Sequence, residues 1–270
     1  MATQAERGAA FYALHARAGA FLIPNPWDIG TARLLAQMGF EALATTSAGF
    51  AFSVGKRDGL VGREEMLAHA ASIVAATELP VSADLENGFG DAPEDAAETI
   101  RLAAATGLAG GSIEDNSRAG SAVYEIEHAA DRIRAAAEVV RGLPFRFTLT
   151  ARAENYISGR PDLGDTIRRL QAYQQAGADV LYAPGLVSSD DIATVVRSVD
   201  RPVNVLGGVG TAPLSLAELS ALGVKRVSIG SGLARAAMGA FLRAARELRE
   251  RGTFGFTAEA AGSMSGLSDG

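Results

Sequence analysis

The chain has 270 residues, 48% hydrophobic and 21% charged, with a formal net charge of -6 and no cysteine. The missing thiols exclude a disulfide framework, a thiolate metal site and a cysteine nucleophile, and no apolar run reaches the roughly 18 residues of a membrane-spanning helix. A pI near 5.2 argues against nucleic acid as the partner, and an N-terminus without a charged-then-apolar pattern makes a cytoplasmic protein with no membrane contact the expectation.

Short β-rich runs alternate with amphipathic stretches along the chain. After a helical pattern at about 3–18, the predicted strands are 21–23, 42–46, 80–84, 111–114, 147–150, 180–182, 203–206 and 227–229. Helical patterns follow them at 28–39, 63–78, 93–106, 125–141, 164–176, 188–199, 214–222 and 232–250. Asp91-Ala92-Pro93-Glu94-Asp95 orders a cap, a first-turn proline and first-turn acids, and Gly39, Gly107, Gly177 and Gly223 stand at helix exits. Eight strand–helix pairs predict an α/β chain folded as a (β/α)8 TIM barrel with an extra N-terminal helix. A doubly wound open sheet is the alternative, but no Gly-x-Gly-x-x-Gly follows the first strand. One domain is expected over 1–250, with 251–270 a tail that is either mobile or packed on a neighbouring subunit.

The residue inventory narrows the chemistry. Only Lys56 and Lys225 are lysines, the first in a polar loop and the second before an apolar strand, so neither suits a Schiff base. His15, His69 and His128 all fall in helical segments, where packing or surface roles are the commoner use. Carboxylates, arginines, hydroxyls and a hard metal ion remain.

Those residues collect where a barrel puts its chemistry, at the C-terminal ends of the strands. By strand alternation Asp84 and Glu86 share one side, Glu114 goes with Ser112, and Thr148, Thr150, Arg152 and Glu154 share a face. Acids converging on one mouth repel unless a cation sits among them, and oxygen-only donors favour Mg²⁺ or Mn²⁺. Arg152 suits either an ion pair with Glu154 or Glu114, or the grip on a substrate carboxylate or phosphonate. The turns Leu206-Gly207-Gly208-Val209-Gly210 and Gly230-Ser231-Gly232 are equally readable as a phosphate clamp or as tight turns.

Five segments together, Pro24-Asn25-Pro26-Trp27-Asp28, Thr45-Thr46-Ser47-Ala48-Gly49, Ser82 to Gly90, Ile113-Glu114-Asp115 and Ala151-Arg152-Ala153-Glu154, resemble the isocitrate lyase/phosphoenolpyruvate mutase superfamily. The resemblance spans about residues 20–240 and points to the branch of small, cysteine-free members similar to oxaloacetate decarboxylases and phosphonopyruvate hydrolases. It implies a barrel whose last helix is exchanged between subunits of a homo-oligomer (dimer or tetramer) and a Mg²⁺-bound 2-oxo acid at the mouth. It implies Asp84 as the direct metal ligand, with Asp58, Glu86 and Glu114 acting through water. Thr46, Ser47 and Ala48 would hold the acidic end of the substrate and Arg152 would grip it. Apart from the resemblance, Asn116 on the loop after the fourth strand is expected to add a hydrogen bond to the substrate.

Two departures from the family pattern matter. The loop Asp115 to Tyr124 lacks the cysteine, lysine and histidine of the lyases, and Tyr182-Ala183-Pro184-Gly185 stands where the mutases carry a histidine. Retro-Claisen cleavage needs a group to take a proton, whereas loss of CO2 from an oxaloacetate-like substrate needs an electron sink and a later proton donor. The expected activity is therefore a Mg²⁺-dependent carbon–carbon lyase acting on a small 2-oxo (di)carboxylate, with Asp58, Glu114, Arg152 and Tyr182 as its catalytic groups. Carbon–phosphorus cleavage of a phosphonopyruvate-like substrate and a non-catalytic 2-oxo acid binder are the alternatives. The loop 116–124 is expected to act as a lid.

Overall fold

In the computed structural model, which describes residues 2–117, 122–208 and 214–260, eight parallel strands run in the order β1-β8-β7-β6-β5-β4-β3-β2. They are β1 (Phe21–Ile23), β2 (Leu43–Ala44), β3 (Val81–Asp84), β4 (Gly110–Glu114), β5 (Thr148–Arg152), β6 (Val180–Tyr182), β7 (Val203–Leu206) and β8 (Arg226–Ser228). The helices are α1 (Gln4–Ala16), α2 (Ile29–Gln37), α3 (Ser47–Ser53), α4 (Arg63–Ala75), α5 (Pro93–Ala104), α6 (Ile126–Arg141), α7 (Leu163–Ala176), α8 (Ser189–Arg197), α9 (Leu216–Ala221) and α10 (Gly232–Arg251). This is the (β/α)8 barrel expected from the alternation, not the doubly wound sheet.

The seam between β1 and β2 carries no strand ladder and is closed by other bonds. Ala44 N donates to Pro24 O at 3.0 Å, and the Asn25 amide donates to Thr45 O at 3.0 Å. The Asn25 carbonyl oxygen accepts from Ile229 N at 2.9 Å, so one buried side chain ties the ends of β1, β2 and β8 together.

Alternate strand residues face opposite ways. Val81, Ala83, Ile113, Leu149, Ala151, Leu181, Val205 and Val227 form one buried cluster with helix residues such as Ile73, Ile100, Ile133, Leu170 and Leu219. Each valine, leucine or isoleucine among them contributes roughly 1.5–3 kcal/mol on burial. Barrel interiors are usually filled by bulky branched residues, but here the inward positions include the buried Ser82, Thr148, Thr150, Asn204 and Ser228 and the half-buried Ser112. The chain has built a polar interior.

The N-terminal end of the barrel is plugged by α1. A Cβ on Gly8 would lie 2.1 Å from Arg146 O, and one on Gly110 would meet Thr148 O at 2.6 Å and the Phe11 ring at 3.0 Å. Only glycine at both positions lets Phe11 settle edge-on against Phe21 and His15 beneath the strands. At the other terminus α10 leaves the barrel: only Ala234 is buried, while Met238, Phe241 and Leu242 are exposed. The following residues turn back onto it through a short 3-10 helix at Gly255–Glu259, where Glu247 accepts from Thr253 Oγ1 at 2.7 Å and Phe256 N at 3.1 Å. Among the described residues no helix is long and apolar enough to cross a membrane.

The predicted strand 42–46 is shorter than expected. It stops at Ala44 because Thr46 takes the extended cap conformation and its hydroxyl accepts from Gly49 N, starting α3, a helix that the periodicity did not signal.

Candidate active site

Three strand ends and one helix start meet at the C-terminal mouth of the barrel. The Arg152 guanidinium closes β5 and donates Nη1 to Asp84 Oδ1 at 3.0 Å and Nε to Glu154 Oε1 at 2.9 Å, while Nη2 lies 3.2 Å from Glu114 Oε2. Ser47, the first residue of α3, holds the other Asp84 oxygen through both its backbone N–H at 3.1 Å and its hydroxyl at 2.8 Å. The cation that the clustered acids require is thus supplied in part by the chain. Both readings offered for Arg152 bear on this side chain, and its ion-pair partners include Asp84 as well as Glu114 and Glu154.

Glu86 does not follow the strand alternation expected for it. β3 ends at Asp84, and Glu86 has a φ of 49°, the left-handed region that costs a non-glycine residue on the order of 1 kcal/mol or more. Its backbone N–H caps Asp84 Oδ1 at 3.4 Å, and the residue is buried at the mouth. Arg132, itself buried, pins this turn by donating to the carbonyls of Asn87, Gly90, Asp91 and Glu114. Glu154 also lies beyond its strand. It is set by Asp115, whose Oδ1 accepts from Glu154 N at 2.8 Å while Oδ2 accepts from Arg169 at 3.1 Å and from the Tyr173 hydroxyl. Arg132, Asp115, Arg169 and Tyr173 were not picked out as site residues from the sequence: Asp115 lies just past β4, and the periodicity of α6 and α7 gives no sign of which loop a buried polar residue on them will reach.

Two cavities open here. An inner one of about 230 Å³ runs into the barrel and is lined by Thr46, Ser47, Ala48, Asp84, Arg152 and Tyr182 among others. An outer one of about 350 Å³ is lined by Asp58, Glu86, Glu114, Asn116, Arg152 and Glu154. All ten residues singled out from the sequence therefore border one mouth. Asn116 Oδ1 is buried there without a hydrogen-bond partner among the described residues, a group available to a ligand. The ends of the loop that carries it are zipped together, with Asn116 bridged to Val123 and Ser117 N donating to Ala122 O at 2.9 Å. The middle of the expected lid, 118–121, lies outside the described residues, as does 209–210 of the first glycine-rich turn.

The electrostatics are lopsided. Burial pushes the Glu114 carboxyl well above its ordinary value, opposed by Arg152 and reinforced by Glu154, Asp84 and Glu86. Burial likewise lifts Glu154 to about 7, against the pull of Arg152. Desolvation, then the charge of Asp84, raises Asp58. Five carboxylates face one guanidinium, and three of them are held above their ordinary range. Such an oxygen-only set, short of positive charge, is chemically suited to a hard divalent cation. Among the described residues no three acids or histidines converge closely enough to chelate an ion directly.

Tyr182 lies under Arg152, with its ring centroid 5.2 Å from the guanidinium carbon. Burial, the largest influence, pushes its hydroxyl up to about 12, so it keeps its proton near neutrality.

The family model described as "Phosphoenolpyruvate phosphomutase" matches residues 11–249. The protein Rv1998c of Mycobacterium tuberculosis H37Rv, itself uncharacterised, is 34% identical over 244 residues, covering 89% of each chain. The 2-methylisocitrate lyase of Shewanella oneidensis is 32% identical over 227 residues, 80% of this chain and 76% of that one. A crystal structure from Burkholderia cenocepacia J2315, assigned only to the lyase/mutase class, superposes with a TM-score of 0.93 at 63% identity over 96% of this chain and 93% of that one. The structure of oxaloacetate acetylhydrolase with its product oxalate gives a TM-score of 0.86 at 25% identity over 95% and 91%.

Proposed function

Because the chain belongs to the phosphoenolpyruvate phosphomutase family, within the isocitrate lyase/PEP mutase superfamily of lyases and mutases, we propose that it is a Mg²⁺-dependent carbon–carbon lyase acting on a small 2-oxo dicarboxylate such as oxaloacetate. The observation that carries this reading is the joint hold of Arg152 and Ser47 on Asp84 beneath a mouth crowded with carboxylates. The likeness to an oxaloacetate-cleaving enzyme supports the substrate class.

In this reading Asp84 holds the metal directly, and Asp58, Glu86 and Glu114 hold its waters. When bound, the metal supplies an electron sink next to the 2-oxo group. Ser47, with Thr46 and Ala48 beside it, receives the acidic end of the substrate, and Asn116 Oδ1 adds a contact from the loop. Arg152 keeps Asp84, Glu114 and Glu154 in fixed places, so the carboxylates do not reorganise during the reaction. Loss of CO2 from the 3-position leaves its electron pair on that carbon. Tyr182, still protonated at neutral pH, donates its hydroxyl proton there and is reprotonated from solvent.

Incubation of the protein with oxaloacetate and other 2-oxo acids, with Mg²⁺ or with a chelator, tests the proposal. Release of CO2 and pyruvate that stops on chelation is the expected result. Release of oxalate and acetate would assign a hydrolytic cleavage instead, and no turnover of any 2-oxo acid while binding persists would mark a non-catalytic binder.

A further inference from the structure

The inner cavity has two arginines on its wall, and they are not equivalent. Arg152 is met by three carboxylates. Arg226, at the start of β8 and only 5% exposed, has no carboxylate within ion-pair distance among the described residues. Its Nε donates to Asn204 Oδ1 at 2.9 Å, Nη2 donates to Thr150 Oγ1 at 3.1 Å, and Nη1 lies 3.4 Å from His15 Nε2. All three partners are neutral. His15 is held uncharged because burial, and then the charge of Arg226 itself, lowers it to about 3.

A buried cation without a counter-ion is costly, and proteins rarely keep one. Burial lowers Arg226 itself to about 10, so it stays charged at neutral pH. A guanidinium has five N–H donors, and the neutral contacts leave some of them unused. Ser82, Ser112 and Ser228 line the same stretch of cavity, giving hydroxyls where a barrel core would ordinarily be aliphatic. At about 230 Å³ the cavity has room for a small organic acid and lies below the range of drug-sized sites, roughly 300–1,000 Å³.

We propose that the inner end of this cavity is an anion subsite, in which Arg226 and the neighbouring serine hydroxyls take the second carboxylate of a dicarboxylate whose 2-oxo acid end lies at Asp84 and Ser47. The inference rests on the reading of the mouth as a 2-oxo acid site, and it adds the group that separates dicarboxylates from monocarboxylates. Arg152 and Arg226 line one and the same cavity. Because Arg152 is already neutralised by the protein's own acids, the charge that selects a second carboxylate is Arg226.

Calorimetry at fixed Mg²⁺ with pyruvate and with 3,3-difluorooxaloacetate tests this, since the two differ at the second acidic group. The wild-type protein should bind the dicarboxylate more tightly, and Arg226→Met should weaken it about tenfold or more, the scale of a lost charge-assisted hydrogen bond, while pyruvate affinity stays within about twofold. Asn204→Asp covers the case in which Arg226→Met does not fold. It sets a carboxylate against the guanidinium, so it should raise the melting temperature and still remove the dicarboxylate preference. Equal weakening of both ligands, or an unchanged dicarboxylate preference in either variant, would overturn the subsite. A wild-type protein that binds pyruvate but shows no preference overturns the subsite alone, whereas one that binds neither ligand overturns the mouth reading and the subsite with it.

Discussion

Arg152 Nη1 stands 3.0 Å from Asp84 Oδ1, so the carboxylate proposed to bind the metal is already held by a guanidinium on one oxygen and by Ser47 on the other. The carboxylate is therefore oriented before any ligand arrives, and a site held this way loses little order on binding. Asp84→Ala should abolish Mg²⁺ binding measured by calorimetry. Retention of affinity within about twofold would show that the ion is held elsewhere.

Arg152→Lys should damage both binding and folding. A lysine keeps one charge but cannot reach Asp84, Glu114 and Glu154 together, as the planar fork does. Breaking a buried ion pair costs about 3–5 kcal/mol, so the melting temperature should fall clearly and 2-oxo acid affinity should drop by about tenfold or more. A melting curve that overlays the wild type would show that Arg152 does not hold the acids together.

Glu154 gives the mouth a pH signature. Its carboxyl rises from an ordinary 4.5 to about 7, chiefly through burial, so the folded state binds a proton that the unfolded state has released. This contribution to stability is full below about pH 4.5 and is lost as pH rises to about 7, at up to about 1.4 kcal/mol per unit. Glu154→Gln should flatten that part of the stability–pH curve in urea denaturation. An unchanged slope would mean that Glu154 titrates normally.

His15 acts in the opposite sense. It falls from 6.5 to about 3, so the stability it adds is full above about pH 6.5 and is lost as pH drops through that range. An NMR titration should find its ring neutral at pH 5, and a His15 signal with an ordinary midpoint would contradict the burial that places it beside Arg226.

The exposed apolar face of α10 bears on assembly. Met238, Phe241 and Leu242 are exposed among the described residues, and exchange of this helix between subunits of a homo-oligomer would bury them. Phe241→Asp should convert the oligomer to a monomer in analytical ultracentrifugation while leaving the barrel's far-UV circular dichroism intact. A wild-type protein that already sediments as a monomer would end the idea.

The fold was legible in the sequence because it depends on periodicity. Strands buried on both faces and helices with one apolar stripe leave their marks in neighbouring residues, and the order of strand then helix, repeated eight times, restricts the topology. The carboxylates of the mouth were legible for a related reason: residues at strand ends, such as Asp84, Glu114 and Arg152, must share one end of a parallel barrel. What only the tertiary structure decided was which charge meets which. That Arg152 reaches Asp84, 68 positions away in the chain, and that Arg226 meets no carboxylate among the described residues depend on strand register and closure around the barrel. Glu86 shows the same limit on a smaller scale, since a left-handed turn set by Arg132 from α6 overrode the alternation its own strand had begun. Local pattern records which face a residue occupies. The partner across the barrel is chosen by packing, and no stretch of contiguous residues carries that information.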